Sequence, residues 1–177
     1  MVVQLPDNPA RTDVLAAHPT LWTNPHYVEN AIEEASLPVR PSDVDEAHEN
    51  WRRLAPLMEV CFPELTATKG EIRSDLVLLE SMRNALGYEG TEFGNVLVKA
   101  DSALPVAGSI KARGGVYEVF IFAEQLAKQE GLLKEGQDIR RLAEPDAKAL
   151  CSRHTIAVGS TGNLGLSVGI AARALGF

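Results

Sequence analysis

Two short segments carry side chains that could do chemistry beside glycine-rich turns. In Ala107-Gly108-Ser109-Ile110-Lys111-Ala112-Arg113-Gly114-Gly115, a lysine amine, the group that attacks carbonyls to form a Schiff base, follows a serine by two positions. In Val158-Gly159-Ser160-Thr161-Gly162-Asn163-Leu164-Gly165, an asparagine amide that can both donate and accept sits between glycines, just after two hydroxyls. Each segment ends a strand-like apolar run and opens into a helical pattern. Each therefore predicts a turn that presents backbone N–H groups and a helix's positive end to one spot, which suits an anionic ligand.

A cation in the first turn of a helix opposes the dipole by about 0.3–1 kcal/mol, so Lys111 and Arg113 need a reason to be there. Nucleophilic use of a partly buried Lys111 amine is one; a lysine that simply points to water is the other. Gly162 and Gly165 cost about 1 kcal/mol each against alanine in a helix, which predicts close packing on bare backbone. With Ser160, Thr161 and Asn163 they form a candidate cradle for a carboxylate or phosphate, and a plain capping turn is the simpler alternative. The spacing Gly159-x-x-Gly162-x-x-Gly165 also resembles a degenerate dinucleotide fingerprint, whose acidic residue about 20 positions on would fall beyond Phe177.

The totals narrow the classes. With 177 residues, 45% hydrophobic and 23% charged, the chain has the length and composition of one ordinary globular domain. A formal net charge of -7 without any block of lysines and arginines argues against nucleic acid or an acidic membrane as partner. Cys61 and Cys151 are far apart in sequence and belong to no metal-spaced cluster, so neither a disulfide framework nor a metal site is expected, and a reducing cytoplasm fits. His48 has no second ligand at helical spacing and reads as a surface or half-buried structural histidine. The first residues lack the basic and apolar regions of a signal peptide, and no stretch has the apolar length of a membrane span.

The elements that must position these residues follow from pattern. Pro6, Pro9, Pro19, Pro25 and Pro38 predict an arm over residues 1–40, with short turns near Val14–Ala17 and Val28–Ala35. Ser42 followed by acids starts a helix with Val44, Ala47, Trp51, Leu54 and Leu57 inward, kinked or broken at Pro56. Asp75 to Leu86 predicts a helix ended by Gly87, Val96 to Val98 a short buried strand, and Ala103 to Gly108 a loop. Ser109 would cap a long helix that stops at Gly131; residues 132–142 read as loop and Asp146 to Arg153 as helical turns. Thr155 to Val158 predicts a strand and Gly162 to Leu175 a helix. The sum is an α/β fold of two β–turn–α units in incomplete parallel-sheet domains. The second unit stops before its next strand, so the last helix and the strand edges are expected to lack cover and the chain alone to be poorly soluble.

Ser109-Ile110-Lys111-Ala112-Arg113-Gly114-Gly115 and Gly159-Ser160-Thr161-Gly162-Asn163-Leu164-Gly165 resemble the two N-terminal motifs of the fold type II (tryptophan synthase β-like) pyridoxal-phosphate enzymes, and most closely those of the D-serine dehydratase (D-serine ammonia-lyase) family. The resemblance extends to Asp43-Val44, Ala47-His48, Arg53-Leu54-Ala55-Pro56, Asp101-Ser102, Gly115-Val116-Tyr117-Glu118-Val119 and Ile156-Ala157-Val158, and so covers about Leu21 to Phe177. The L-threonine and L-serine dehydratases usually read S-F-K-x-R-G-A and S-x-G-N-H here; Ile110, Gly115 and Leu164 favour the D-serine branch. The resemblance implies pyridoxal 5'-phosphate as cofactor, Lys111 as its Schiff-base lysine, and Asn163 near the ring hydroxyl. It implies a substrate carboxylate on Ser160, Thr161, Gly162, Asn163 and Gly165, and D-serine as the substrate split into pyruvate and ammonia. It further implies residues 41–154 as part of the larger cofactor domain and 155–177 as the start of the smaller. Family members continue past the position of Phe177 with a glycine-rich phosphate loop and a group facing the pyridine nitrogen. That remainder, as a separate chain, is an expected partner, and a non-catalytic or partner-dependent fragment is the alternative reading.

Overall fold

The computed structural model describes residues 10–33, 37–90, 92 and 94–177. The chain divides into two units, Met1–Val44 and Asp45–Phe177. In the first, helix α1 (Arg11–Leu15) ends where Ala17 turns to φ 55, and a 3-10 turn spans Ala31–Glu33. Its large apolar side chains Val14, Leu15, Leu21, Trp22, Tyr27 and Val28 are exposed. The turn expected to reach Ala35 runs into residues 34–36, which lie outside the described residues.

Helix α2 (Pro41–Cys61) begins where the Asp43 carboxylate accepts from the Arg40 N–H at 2.8 Å. It runs as one helix through Pro56, so of the expected kink or break the break does not occur. An interior proline costs about 3 kcal/mol, but Leu54, Leu57 and Met58 around it are fully buried, each worth about 1.5–3 kcal/mol. Burial wins over the lost backbone bond.

Helix α4 (Lys111–Gln129) is the axis of the second unit. It follows β1 (Leu76–Leu78), α3 (Glu80–Ala85) and β2 (Leu97–Lys99), and is followed by α5 (Pro145–Cys151) and α6 (Asn163–Leu175). Its apolar positions Val116, Val119, Phe120, Ala123, Leu126 and Ala127 recur at helical spacing and are all buried. They share one core with Leu54, Leu57 and Met58 of α2, Leu150 of α5 and Val168, Ala171 and Leu175 of α6. Phe62 meets Phe120 at 6.0 Å between ring centres, and Trp51 meets Tyr117 at 5.5 Å. The apolar face of α6, expected to lack cover, is covered by α4.

The sheet departs from expectation. Among the described residues it has two strands, β1 and β2, and they pair antiparallel, Leu76 with Lys99, Val77 with Val98 and Leu78 with Leu97. The helix expected from Asp75 splits because Leu76-Val77-Leu78-Leu79 is a continuous apolar run that finds a backbone partner, with the Leu79 N–H on the Val96 carbonyl at 2.9 Å. Only α3 remains helical. The strand near Val96, expected buried, is exposed in all three positions. Thr155 to Val158 forms no strand among the described residues, since a strand exists only through a paired neighbour. The parallel arrangement of β–turn–α units is therefore not what these residues form; the unit is mainly helical with a small ribbon. Residues 132–142, expected as loop, include the start of a 3-10 turn over Ile139–Ala143 that buries Ile139 and Leu142.

A buried carboxylate ties α2 to α4. Glu124 accepts two bonds from Arg53, each 2.7 Å, and lies 2.7 Å from the Lys128 ammonium. Burial by itself would raise this carboxyl, but the hydrogen bonds and charges of Lys128 and Arg53 outweigh it and hold it below its ordinary value. The unfolded chain then takes up this proton at higher pH than the fold does. The contribution is fully present above the ordinary glutamate range and is lost as pH falls through it toward the lower folded value. Glu124→Gln should therefore cost about 1–3 kcal/mol at neutral pH, and urea titrations should find that cost shrinking as pH falls below the ordinary glutamate range, about 4.3. A cost independent of pH would assign the effect to packing.

Both cysteines are free thiols. Burial pushes Cys61 up to about 11, with nearby Lys148 pulling weakly the other way, and burial also raises Cys151. Burial thus holds both thiols further toward the neutral form than an ordinary cysteine, which disfavours thiolate chemistry.

Candidate active site at two helix starts

Lys111 is the first residue of α4, and Asn163 is the first of α6. The two helices run side by side in the same direction. Near their starts Gly115 lies against Leu164 and Ser167, so closely that a Cβ on Gly115 would come 2.5 Å from the Ser167 hydroxyl and 3.3 Å from Leu164 Cδ1. Farther along, Phe122 and Phe177 stack at 5.8 Å. Gly115 is four residues past Lys111, and Ser167 four past Asn163, so the contact lies one turn in from both starts and brings the two N-termini together.

Their backbone donors differ. At α4 the Lys111 N–H reaches the Ser109 hydroxyl at 3.3 Å, and the Ala112 and Arg113 N–H groups bond the carbonyls of Ser109 and Ile110. Ile110, rather than Ser109, occupies the cap position. At α6 the cap is Gly162 with no side-chain bond, and among the described residues the N–H groups of Asn163, Leu164 and Gly165 have no acceptor. Three donors and the positive end of a 13-residue helix are thus open there.

The side chains complete the picture. The Lys111 amine is exposed rather than partly buried and has no partner among the described residues. The Asn163 amide and the Thr161 hydroxyl are likewise exposed and unpartnered among the described residues. The Ser160 hydroxyl accepts weakly from the Gly162 N–H at 3.3 Å. Gly165 is the glycine that close packing requires, because its Cβ would sit 2.2 Å from the Ser160 carbonyl oxygen, so the loop folds back onto the helix start. Gly162 is not: its Cβ position is open. Arg113 turns away and donates through Nε to the Ile72 carbonyl at 3.2 Å.

Ser167 was not legible as part of the site. Its side chain is fully buried, and its hydroxyl donates to the carbonyls of Asn163 and Leu164, each at 3.0 Å. The signal was Gly115, a second glycine inside a helix, which implies a neighbour at backbone distance. The dinucleotide reading loses its context, since no strand among the described residues leads directly into Gly159.

A reachable amine beside a row of open backbone donors suits a ligand that carries both a carbonyl and an anionic group. No family model matches the chain. Over 173 residues, 98% of its length, the chain is 66% identical to a protein of Rhizobium etli (strain CIAT 652) named probable D-serine dehydratase, 39% of which it covers. A protein of the same name from Sinorhizobium medicae (strain WSM419) is 64% identical over the whole chain, and one from Pseudomonas aeruginosa (strain UCBPP-PA14) 46% identical over 98% of it. The resemblance read from the motifs holds along the full chain, which spans about two fifths of the length of these relatives. No helix among the described residues is long and apolar enough to cross a membrane.

Proposed function

We propose that the chain is part of a fold type II pyridoxal-phosphate lyase that converts D-serine to pyruvate and ammonia. The observation that carries the reading is the side-by-side start of α4 and α6, with a free amine on one and free donors on the other. The relatives' printed name supports it. In this reading residues 41–154 belong to the larger cofactor domain and 155–177 open the smaller.

The residues present fit the cofactor in kind: a reachable lysine, an amide and an anion cradle closed by Gly165. Pyridoxal phosphate, when bound, supplies a carbonyl for attachment and a ring that takes up the electron pair left by the α-proton. Lys111 would provide the attaching amine and, when not so engaged, a base within the site. The N–H groups of Asn163, Leu164 and Gly165 hold the substrate carboxylate, with the hydroxyls of Ser160 and Thr161 beside them. The Asn163 amide would hydrogen-bond the cofactor's ring hydroxyl and so help to orient it. D-Serine divides into pyruvate and ammonia with no net oxidant or reductant: the α-proton and the β-hydroxyl leave together as one water, and one water is taken up when the resulting enamine, as its imine, hydrolyses and releases ammonia.

The test is incubation with pyridoxal phosphate followed by D-serine, with visible absorbance and pyruvate as readouts. A lysine-bound chromophore is expected on this chain, and pyruvate from D-serine when the remainder of a relative is supplied as a second chain. Absence of any lysine-bound chromophore in either preparation would refute the reading.

A further inference from the structure

On the other side of the α4 start lies a cavity that the proposed chemistry does not use. Arg113 stands two residues from Lys111, which turns its side chain about 200° around the helix. It meets Ile72 on the loop before β1. That loop is pressed onto α2 at Gly70, whose φ of 81 and 2.0 Å approach of a Cβ to the Ala55 carbonyl admit no side chain. Elements α2, α4 and the loop thereby frame an open-mouthed cleft of about 470 Å³, within the size range of small-molecule sites, roughly 300–1,000 Å³.

The lining has a definite chemistry. Trp51, Ala55 and Ile72 supply an apolar floor, and Trp51 is steadied by Tyr117 at 5.5 Å. Arg52, Arg73 and Arg113 face it with a single carboxylate, Glu71, in a chain whose net charge is -7. The guanidinium groups are incompletely engaged: Arg113 uses only Nε, Arg73 meets Glu71 at 3.4 Å and Arg52 meets Glu49 at 3.0 Å, each through one nitrogen. Forked donors of this kind match carboxylate and phosphate oxygens, and guanidinium and indole planes match flat ligands.

We propose that this cavity is a second ligand site, independent of the Lys111 chemistry, for a small planar anion: a carboxylate or phosphate carried on a flat apolar body. Trp22 and Trp51 are the two tryptophans, so Trp22→Phe leaves Trp51 as sole fluorescent reporter. Titration of that protein with phthalate should give a saturable change in emission. Arg73→Gln and Arg113→Gln should each weaken binding by about tenfold, the effect of losing one charge-assisted hydrogen bond. Glu71→Gln should tighten binding, because it frees Arg73 and removes the only negative charge among the lining residues. Dimethyl phthalate, flat but uncharged, should fail to compete. Arg73 is exposed, so its variant reads binding even if Arg113→Gln unfolds the protein. A response that does not saturate, equal binding of the ester, or an Arg73→Gln affinity equal to the parent's would overturn the proposal.

Discussion

Borohydride reduction of the protein after incubation with pyridoxal phosphate should leave a pyridoxyl mark chiefly on Lys111, and Lys111→Ala should remove most of it. The reason is competition among amines. The Lys99 amine is held by the Ser74 carbonyl, and the Lys128 amine lies 2.7 Å from Glu124, so both must break a contact before reacting. Lys69, Lys134 and Lys148 are exposed like Lys111 but lie beside no open helix start, whereas the N–H groups near Lys111, free of a carboxylate when no substrate is present, can draw an anionic aldehyde to it. Lys111 should therefore exceed each of them by about tenfold, the ratio that about 1.4 kcal/mol of preferential binding gives. Peptide mapping with mass spectrometry reads the distribution. Lys99→Ala and Lys128→Ala should leave the Lys111 mark unchanged. An even spread over exposed lysines, or a dominant mark elsewhere, would remove Lys111 from its proposed role.

The helices were legible where periodicity and punctuation agreed. For α4, buried apolar positions from Val116 to Ala127 and the stop at Gly131 read directly, although Val116 to Phe122 is rich in residues that favour strands. The same held for α6, closed by Gly176 at φ 93. Strands were read poorly because a strand depends on a partner that local pattern does not contain. Leu76 to Leu78 gained one in Leu97 to Lys99, whereas Thr155 to Val158 has none among the described residues. Pro56 misled for a related reason: its local cost was visible, but the burial of Leu54, Leu57 and Met58 that offsets it was not.

At the candidate site, residue types were legible and exposure was not. Lys111, Asn163 and the Ser160 loop could be picked out because amine, amide and hydroxyl groups next to glycines carry chemistry wherever they fall. Whether Lys111 was buried, and which helix start kept its donors open, depended on Ser109 and Ile110 satisfying α4 while Gly162 leaves α6 uncapped. The contact that brings the starts together involves Gly115 and Ser167, 52 positions apart, and its partner could not be named from pattern alone.

That contact sets the second large effect. Gly115→Val should lower stability by about 1–3 kcal/mol, the usual cost of forcing extra volume into a packed contact. Gly114→Ala, at an exposed helical position with no atom within 4 Å of the added Cβ, should raise it by about 0.5–1 kcal/mol through propensity. Neighbouring glycines are thus expected to respond with opposite signs, in thermal melts by roughly 2–4 °C per kcal/mol. The milder Gly115→Ala should be partly rescued by Ser167→Ala, which removes the hydroxyl otherwise 2.5 Å from the new methyl, and the rescue appears as coupling in a double-mutant cycle. If the two helix starts work together, Gly115→Val should also reduce the pyridoxyl mark on Lys111 under conditions where circular dichroism shows the fold intact, because α6 and its open donors are pushed off α4. Gly115→Ala matching Gly114→Ala in stability would mean that α6 yields freely and that the spacing between Lys111 and Asn163 is not set by this contact.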